Sequence, residues 1–167
     1  MPELNSTQTT LAQWLELYPE SLIMQPDTEF TAEYESYAHY ENGQGGALTG
    51  ANRSSWEDKS RIVGIVAGSS AKAFDWNRLK EERIINDEIA GIPVVLVLAQ
   101  DDKSFFAFER PARDVIFAFG DNQLIFGQDV YNLAGKHLRQ ADQTLKRINA
   151  YQEFWHSWRT FHPNTEK

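Results

Sequence analysis

The apolar residues near the amino terminus recur at the spacing of a helix. They occupy four positions that share one helical face: Leu11, Trp14, Leu15 and Tyr18. Thr10 and Gln13 have the spacing of a capping box at the start of this run, and Pro19 ends it. The pattern therefore predicts a short amphipathic helix between Thr10 and Pro19.

A similar pattern closes the chain, where four aromatic residues precede Pro163: Phe154, Trp155, Trp158 and Phe161. Aligning QWLELYPES with SWRTFHPNT pairs Trp14 with Trp158, Tyr18 with His162, Pro19 with Pro163, and Ser21 with Thr165. Such an echo arises when the tail of one repeat stands ahead of a complete second repeat; chance similarity is the alternative. We expect residues 1–25 to be an amino-terminal helix that resembles the tail of a preceding repeat, and 26–167 to be a single α+β domain.

Between these two patterns the apolar positions favour strands. The segment RIVGIVAG alternates, and RIINDEI leads to a turn at Ala90-Gly91. Pro93 to Leu98 is a continuous run of β-branched and leucine residues, which is typical of a strand covered on both faces. Because SFFAFER follows after a short polar segment, the two arms predict a hairpin with its tip at Asp101-Asp102.

A second hairpin signal stands at 120–122, where Gly-Asp-Asn separates DVIFAFG from QLIFGQ. Strands joined by turns too short for a helix form an antiparallel meander. We expect an α+β fold, predominantly an antiparallel meander or partly closed sheet. Short flanking helices would carry Trp-x-x-Trp and Trp-x-x-x-x-Pro motifs at the two ends.

The composition supports one core of ordinary size. The 167-residue chain is 41% hydrophobic and 13% aromatic, which suits a single compact unit. Its formal net charge is −8, so we expect no nucleic acid partner and no attachment to anionic lipid. The sequence has no cysteine, which excludes disulfides, thiolate catalysis and thiolate metal sites.

Nothing in the sequence predicts membrane insertion or export. The opening residues carry neither the basic region nor the continuous apolar run of a signal peptide, and no stretch of about eighteen apolar residues occurs. We expect a soluble chain, extracytoplasmic if it is a fragment of an exported protein and otherwise cytoplasmic. A related repeat or a second copy of the chain is the expected partner.

Histidine and serine give little indication of catalysis. The four histidines are scattered: His39, His137, His156 and His162. None has a second ligand at metal-binding spacing, so we expect no metal site and no cofactor. Ser69 and Lys72 have the Ser-x-x-Lys spacing of penicillin-recognising enzymes, but the partner motifs of those enzymes are missing. A turn followed by a solvated lysine is the favoured interpretation.

Asn86 and Asp87 stand between apolar residues near the end of a predicted strand. A partly desolvated Asp87 could serve as a general acid or base, with Lys72 or Arg110 as its electrostatic partner. Asn-Asp is also a common turn pair, because both side chains bond to nearby backbone. The structural role is favoured, since no nucleophile or anchored histidine can be named as a partner.

Three tyrosines recur every third residue at Tyr34, Tyr37 and Tyr40. They could present a stacking surface for a peptide or a glycan, although core packing is the favoured interpretation because other large residues are few in that region. At the hairpin tip, Asp101 and Asp102 lie on a turn and point apart. This favours a solvated turn over a pair of catalytic carboxylates.

An ordered set of short motifs runs along the chain. They are Val63-Gly64-Ile65, Lys72-Ala73-Phe74-Asp75, Ile85-Asn86-Asp87, Ala90-Gly91-Ile92-Pro93-Val94, Ala107-Phe108-Glu109-Arg110, and Trp155 to Thr165. As a set they resemble the bacterial and archaeal family known as domain of unknown function 3179. The likeness extends from about Thr10 to the end of the chain.

Members of that family look like two related halves in tandem, and the first half typically carries a Cys-Pro-Leu-Cys motif that implies thiol or metal redox chemistry. This chain resembles the second half and reads Ala99-Gln100-Asp101-Asp102 at the corresponding place. It also lacks the Asp-x-x-Thr-Gly-Ser segment common in the family. The resemblance therefore implies a non-catalytic structural or binding half of a larger or assembled protein.

Two other hypotheses stay open. One is a hydrolase- or isomerase-like enzyme that uses Asp87 with Lys72 or Arg110, in a polar site that includes Asn86. The other is a peptide- or glycan-binding module built on the tyrosines from Tyr34 to Tyr40.

Overall fold

In the computed structural model, which describes residues 6–35 and 53–167, the strands pair into three antiparallel sheets. The strands are β1 (Arg61–Ala67), β2 (Ser70–Asp75), β3 (Ile84–Ile89), β4 (Ile92–Leu98), β5 (Phe105–Glu109), β6 (Ala118–Gly120), β7 (Gln123–Phe126), β8 (Asp129–Asn132), β9 (Arg147–Ile148) and β10 (Ala150–Phe154). The helices are α1 (Leu11–Leu17), α2 (Trp76–Glu82) and α3 (Trp155–Phe161), with a 3-10 turn over Thr28–Phe30 and further helical residues at 31–35. The predicted α+β class is confirmed.

Neighbouring strands in each sheet run antiparallel. The first sheet has the order β10-β1-β2, the second β3-β4-β5-β9, and the third β6-β7-β8. Consecutive strands are joined by tight turns in the pairs β1-β2, β3-β4, β6-β7 and β7-β8, as a meander requires. In the part of the chain that the structure describes, no helix is long and apolar enough to cross a membrane.

Strand β4 lies between two hydrophobic cores. Val94, Leu96 and Leu98 point into the core shared with the first sheet. Val95 and Val97 point the other way, into the second core, which is shared with the third sheet. All five side chains are almost fully buried, because alternate residues of a strand face opposite sides. The prediction that this strand is covered on both faces is confirmed.

The predicted turns fall where the sequence places them. Ala90 and Gly91 have φ values of 50° and 83°, and they join β3 to β4. Asp121 and Asn122 have φ values of 51° and 55°, the left-handed pair that a two-residue hairpin favours. The arms of the longer hairpin, β4 and β5, pair with Leu98 opposite Phe105, so its tip contains Asp101 and Asp102.

Helix α3 lies against the first sheet through Trp158, which is only 1% exposed. Its ring rests on Gly64 in the middle strand β1. A Cβ added at that glycine would lie 2.2 Å from the Trp158 Cζ3 atom, so no larger residue fits without moving the ring. The glycine of the Val63-Gly64-Ile65 motif is therefore explained by this contact.

Candidate functional site

Two of the side chains that the sequence singles out reach Asp87 on β3: Lys72 at its carboxylate and Arg110 at its backbone carbonyl. The Asn86 side chain instead binds Phe117. Lys72 projects from β2, and its Nζ lies 2.8 Å from Asp87 Oδ1. The same oxygen accepts a hydrogen bond from the Glu88 backbone N–H at 2.6 Å. The Lys72 and Asp87 side chains are 12% and 25% exposed. The ion pair therefore joins the edge of the first sheet to the edge of the second in a partly desolvated position.

Arg110 follows β5 and is 5% exposed. Its guanidinium donates four hydrogen bonds to backbone carbonyl oxygens, at 2.7 to 3.0 Å: Asp87, Val94, Arg113 and Val115. Carbonyl dipoles thus solvate the buried charge in place of water. Since these carbonyls belong to β3, β4 and the segment after β5, one side chain fastens three parts of the chain together.

Asn86 lies beside Asp87 within β3, not in a turn. Its side-chain amide donates to the Phe117 carbonyl oxygen at 2.9 Å, and its Oδ1 accepts from the Phe117 N–H at 3.0 Å. The amide thereby mimics a rung of β-sheet hydrogen bonds. It ties the edge of the second sheet to the residue that precedes β6 in the third.

The structure corrects two readings of the Ser-x-x-Lys segment. Ser69 lies in the turn between β1 and β2, but Lys72 lies on a strand, so the pair is not one helical turn apart. Nor is the lysine solvated, because its side chain is 12% exposed and holds Asp87. The helical geometry that would bring an amine to a serine hydroxyl is absent from this segment.

The tyrosine segment is described only at its start. Tyr34 is 47% exposed, as is Phe30 nearby, so neither ring belongs to a core. Tyr37 and Tyr40 lie outside the described residues. The stacking surface on these tyrosines stays a prediction.

Three of the four histidines lie in the described part of the chain, and His39 lies outside it. His137 is buried; its Nδ1 accepts backbone N–H bonds from Arg139 and Gln140, and its Nε2 lies 3.3 Å from Asp129 Oδ1. Burial raises the pKa of neighbouring Tyr131, and the charge of Asp129 raises it further.

The other two described histidines lie near the carboxyl terminus. His156 contacts the Asp58 carbonyl. The His162 ring packs on Trp158, at the position that aligns with Tyr18.

The hairpin tip holds a cluster that sequence reasoning missed. Asp101 Oδ2 accepts a hydrogen bond from the Thr10 hydroxyl at 2.7 Å and one from the Ser104 hydroxyl at 2.5 Å. Ser104 is fully buried, and its Oγ accepts from the Thr10 N–H at 2.8 Å. The tip is a turn, as predicted, but it is not simply solvated, because it binds Thr10, the N-cap residue of α1.

Thr10 forms only half of the predicted capping box. Its hydroxyl accepts from the Gln13 N–H at 3.2 Å, as an N-cap does. The Gln13 side chain instead donates to Glu16 and accepts from Asn122. The Thr10 N–H, which the box would have satisfied, is bonded to the hairpin instead. The same residue, Thr10, therefore caps α1 and attaches it to the hairpin.

The Asp101 cluster predicts an acid-dependent loss of stability. Burial alone would raise the pKa of Asp101, but hydrogen bonds from Ser104, Lys103 and Thr10 together lower it below 3.8. A carboxyl group with a lowered folded-state pKa stabilises the fold above its unfolded value, and this contribution is lost as pH falls through the lowered value. We expect Asp101→Asn to flatten the decline in melting temperature below about pH 4. An unchanged acid profile would contradict this role.

The comparison with protein families confirms the resemblance that the motifs indicate. The sequence model of the family described as "Protein of unknown function (DUF3179)" matches residues 1–165. No curated protein and no solved structure matches significantly. Because the match covers nearly the whole chain, the chain belongs to the family of proteins of unknown function called DUF3179.

Proposed function

We propose that this chain is a non-catalytic structural or binding half of a larger or assembled protein. The observation that carries the proposal is the use of its polar groups. Lys72 and Arg110 both bind Asp87 from other parts of the chain, at its carboxylate and its backbone carbonyl, and the neighbouring Asn86 binds Phe117. Such groups hold sheets together, and a catalytic group must instead offer an atom to substrate.

The division into residues 1–25 and 26–167 forms part of the proposal. The second unit contains all three sheets, whereas the first contributes α1. Helix α1 contacts the hairpin tip through Thr10 and the second core through Leu17. Residues 1–25 would then be the tail of a preceding repeat that is anchored on this domain.

The two other hypotheses each have one favouring observation. An enzyme that uses Asp87 with Lys72 is favoured by their 2.8 Å separation and by the quarter of the Asp87 side chain that is exposed. A peptide- or glycan-binding module is favoured by the joint exposure of Phe30 and Tyr34. In the module, Tyr34→Ala would abolish retention on immobilised peptide or glycan libraries without lowering the melting temperature.

Asp87→Asn tests the structural proposal against the enzyme. If Asp87 anchors Lys72 across two sheets, losing its charge should lower the free energy of unfolding by about 1–2 kcal/mol. Catalytic residues are commonly held at a cost to stability, so their replacement leaves stability unchanged or higher. Urea unfolding monitored by tryptophan fluorescence measures the difference.

Asp142→Asn is the matched control, because it makes the same chemical change at an exposed position. We expect it to alter the unfolding free energy by less than about 0.5 kcal/mol. If Asp87→Asn is as neutral as this control, or stabilises the chain, the structural proposal fails and the enzyme becomes the better hypothesis.

A further inference from the structure

The carboxyl-terminal motif, residues 155–166, has a distinctive local structure. The Trp158 Nε1–H donates to Thr165 Oγ1 at 2.9 Å, and its ring centroid lies 4.1 Å from that of His162 with a tilt of 40°. The helix ends where the His162 N–H donates to the Trp158 carbonyl and the Thr165 N–H donates to that of His162. Trp158, His162 and Thr165, three of the aligned residues, therefore contact one another in this motif.

The amino-terminal motif, residues 11–22, repeats this structure. The Trp14 Nε1–H donates to Ser21 Oγ at 2.8 Å, and its ring centroid lies 4.5 Å from that of Tyr18 with a tilt of 39°. The Tyr18 N–H donates to Trp14 and the Ser21 N–H to Tyr18. The helix-ending residues have φ and ψ of −138° and 70° at Tyr18, against −127° and 68° at His162. The two aligned segments therefore share the same local structure as well as a similar sequence.

The two motifs differ in what covers them. Trp158 is buried on Gly64 of the first sheet, and Glu166 extends that sheet. The Glu166 N–H donates to Ala71, and its carbonyl accepts from Ala73, both at 2.9 Å, in a parallel bridge to β2. In the amino-terminal motif, Leu22 takes the place of Glu166 and is 100% exposed.

Helix α1 is bound to this domain by a different face from the one that α3 uses. Gln13, which is buried, accepts a hydrogen bond from Asn122, and Leu17 packs on the second core. Leu11 aligns with Trp155, yet Leu11 is 55% exposed whereas Trp155 is 7% exposed. At Leu11 and Leu22 the face that α3 uses is therefore open in α1, and Trp14 is half-buried where Trp158 is buried. Together with the exposed Ile23 and Met24, these residues form what we call the open face: Leu11, Trp14, Leu22, Ile23 and Met24.

We propose that the open face docks on a β10-β1-β2-type sheet in another domain of the same family. Trp14 would lie over a glycine in the middle strand of that sheet, and Leu22 would pair in parallel with its edge strand. The template is on this chain's own first sheet, where Trp158 and Glu166 make both contacts. Main-chain pairing at a sheet edge, together with a buried aromatic anchor, is an established way to bind a partner.

A second wild-type copy of the chain is a poor partner for the open face, because its own Trp158 and Glu166 already cover its first sheet. The partner sheet must instead have this position free. The docking proposal rests on the proposed structural function and adds the surface through which the chain would contact a partner. The two proposals can fail separately, since Asp87→Asn tests the polar contacts inside the domain and does not involve the open face.

Trp158→Ala in the full chain creates an acceptor of known sequence. It removes the ring that covers Gly64 and so the main anchor of the carboxyl-terminal motif on the first sheet. The amino-terminal motif of a second copy can then displace that motif and place Trp14 over Gly64. We expect concentration-dependent self-association in sedimentation velocity, at concentrations where the wild-type chain associates less. Adding Trp14→Ala should weaken this association roughly 30-fold, as expected for the loss of an aromatic anchor.

Two further variants separate docking from nonspecific adhesion. Gly64→Ala in the Trp158→Ala chain places a methyl group where the incoming ring must lie, so association should be lost. Phe161→Ala in the same chain removes a side chain that is 76% exposed but is not part of the proposed contact, so association should persist. The proposal is overturned if association is unaffected by Trp14→Ala and Gly64→Ala. It is also overturned if a folded Trp158→Ala chain does not associate.

Circular dichroism first establishes whether Trp158→Ala folds by itself. If it does not, the variant is refolded together with wild-type chain and, in parallel, with Trp14→Ala chain. Recovery of folded Trp158→Ala protein only with the wild-type chain supports docking of the open face. Equal recovery with both chains, or recovery with neither, overturns it.

Discussion

Replacing Arg110 by methionine should lower the free energy of unfolding by about 3 kcal/mol or more. Methionine fills similar space but donates no hydrogen bond, so the carbonyls of β3, β4 and the segment after β5 lose a common donor. Buried carbonyls left without a donor each cost about 1–3 kcal/mol. Urea unfolding at equilibrium measures the loss.

Two companion variants test the proposed cause. Arg110→Lys should recover little of the lost stability, because a single ammonium cannot reproduce the forked geometry that serves four carbonyls. Arg113→Met removes an arginine whose side chain is 69% exposed and pairs with Glu88, and it should cost less than about 1 kcal/mol. Arg110→Met within about 1 kcal/mol of wild type would contradict the assigned role.

Gly64→Ala should also destabilise the chain, by about 3 kcal/mol. The added Cβ would lie 2.2 to 2.5 Å from three ring carbons of Trp158, a distance that nonbonded carbon atoms do not tolerate. The ring is almost fully buried, so it can move only by separating α3 from the first sheet. Thermal and urea unfolding should both report the loss.

The expected loss at Gly64 depends on the tryptophan. Trp158→Ala alone should cost about 3–5 kcal/mol, as for other buried aromatic residues. In that background, Gly64→Ala should cost much less than in the wild-type chain, because its methyl group then enters space that the ring has left. Strictly additive losses would mean that the two residues are not in contact.

The outline of the fold could be predicted from local patterns. The apolar run from Pro93 to Leu98 identified a strand buried on both faces because such a run has no polar side to expose. The Asp121-Asn122 turn was predictable because those residue types tolerate positive φ. The alignment of Trp14 with Trp158 anticipated two motifs of the same geometry, since each tryptophan binds a hydroxyl seven residues further on.

The polar ties could not be predicted, because their partners are distant in sequence. Asp101 binds Thr10 across 91 positions, and Asn86 binds Phe117 across 31. Asn86 and Asp87 were placed near the end of a predicted strand, with a turn pair as their structural role, whereas both lie inside β3. Lys72 was expected in solvent when the Ser-x-x-Lys segment was considered alone, and only the enzyme hypothesis named it as a partner of Asp87, because the carboxylate that binds it belongs to another sheet.

A double-mutant cycle on Lys72 and Asp87 tests most directly whether these groups hold the sheets together. The unfolding free energies of Lys72→Met, Asp87→Asn and the double variant are compared with that of wild type. We predict that each single change destabilises the chain, and that the double variant loses less than the two single losses added together, with a coupling energy of about 1 kcal/mol. Additive effects, or stability gained on losing Asp87, would contradict the account.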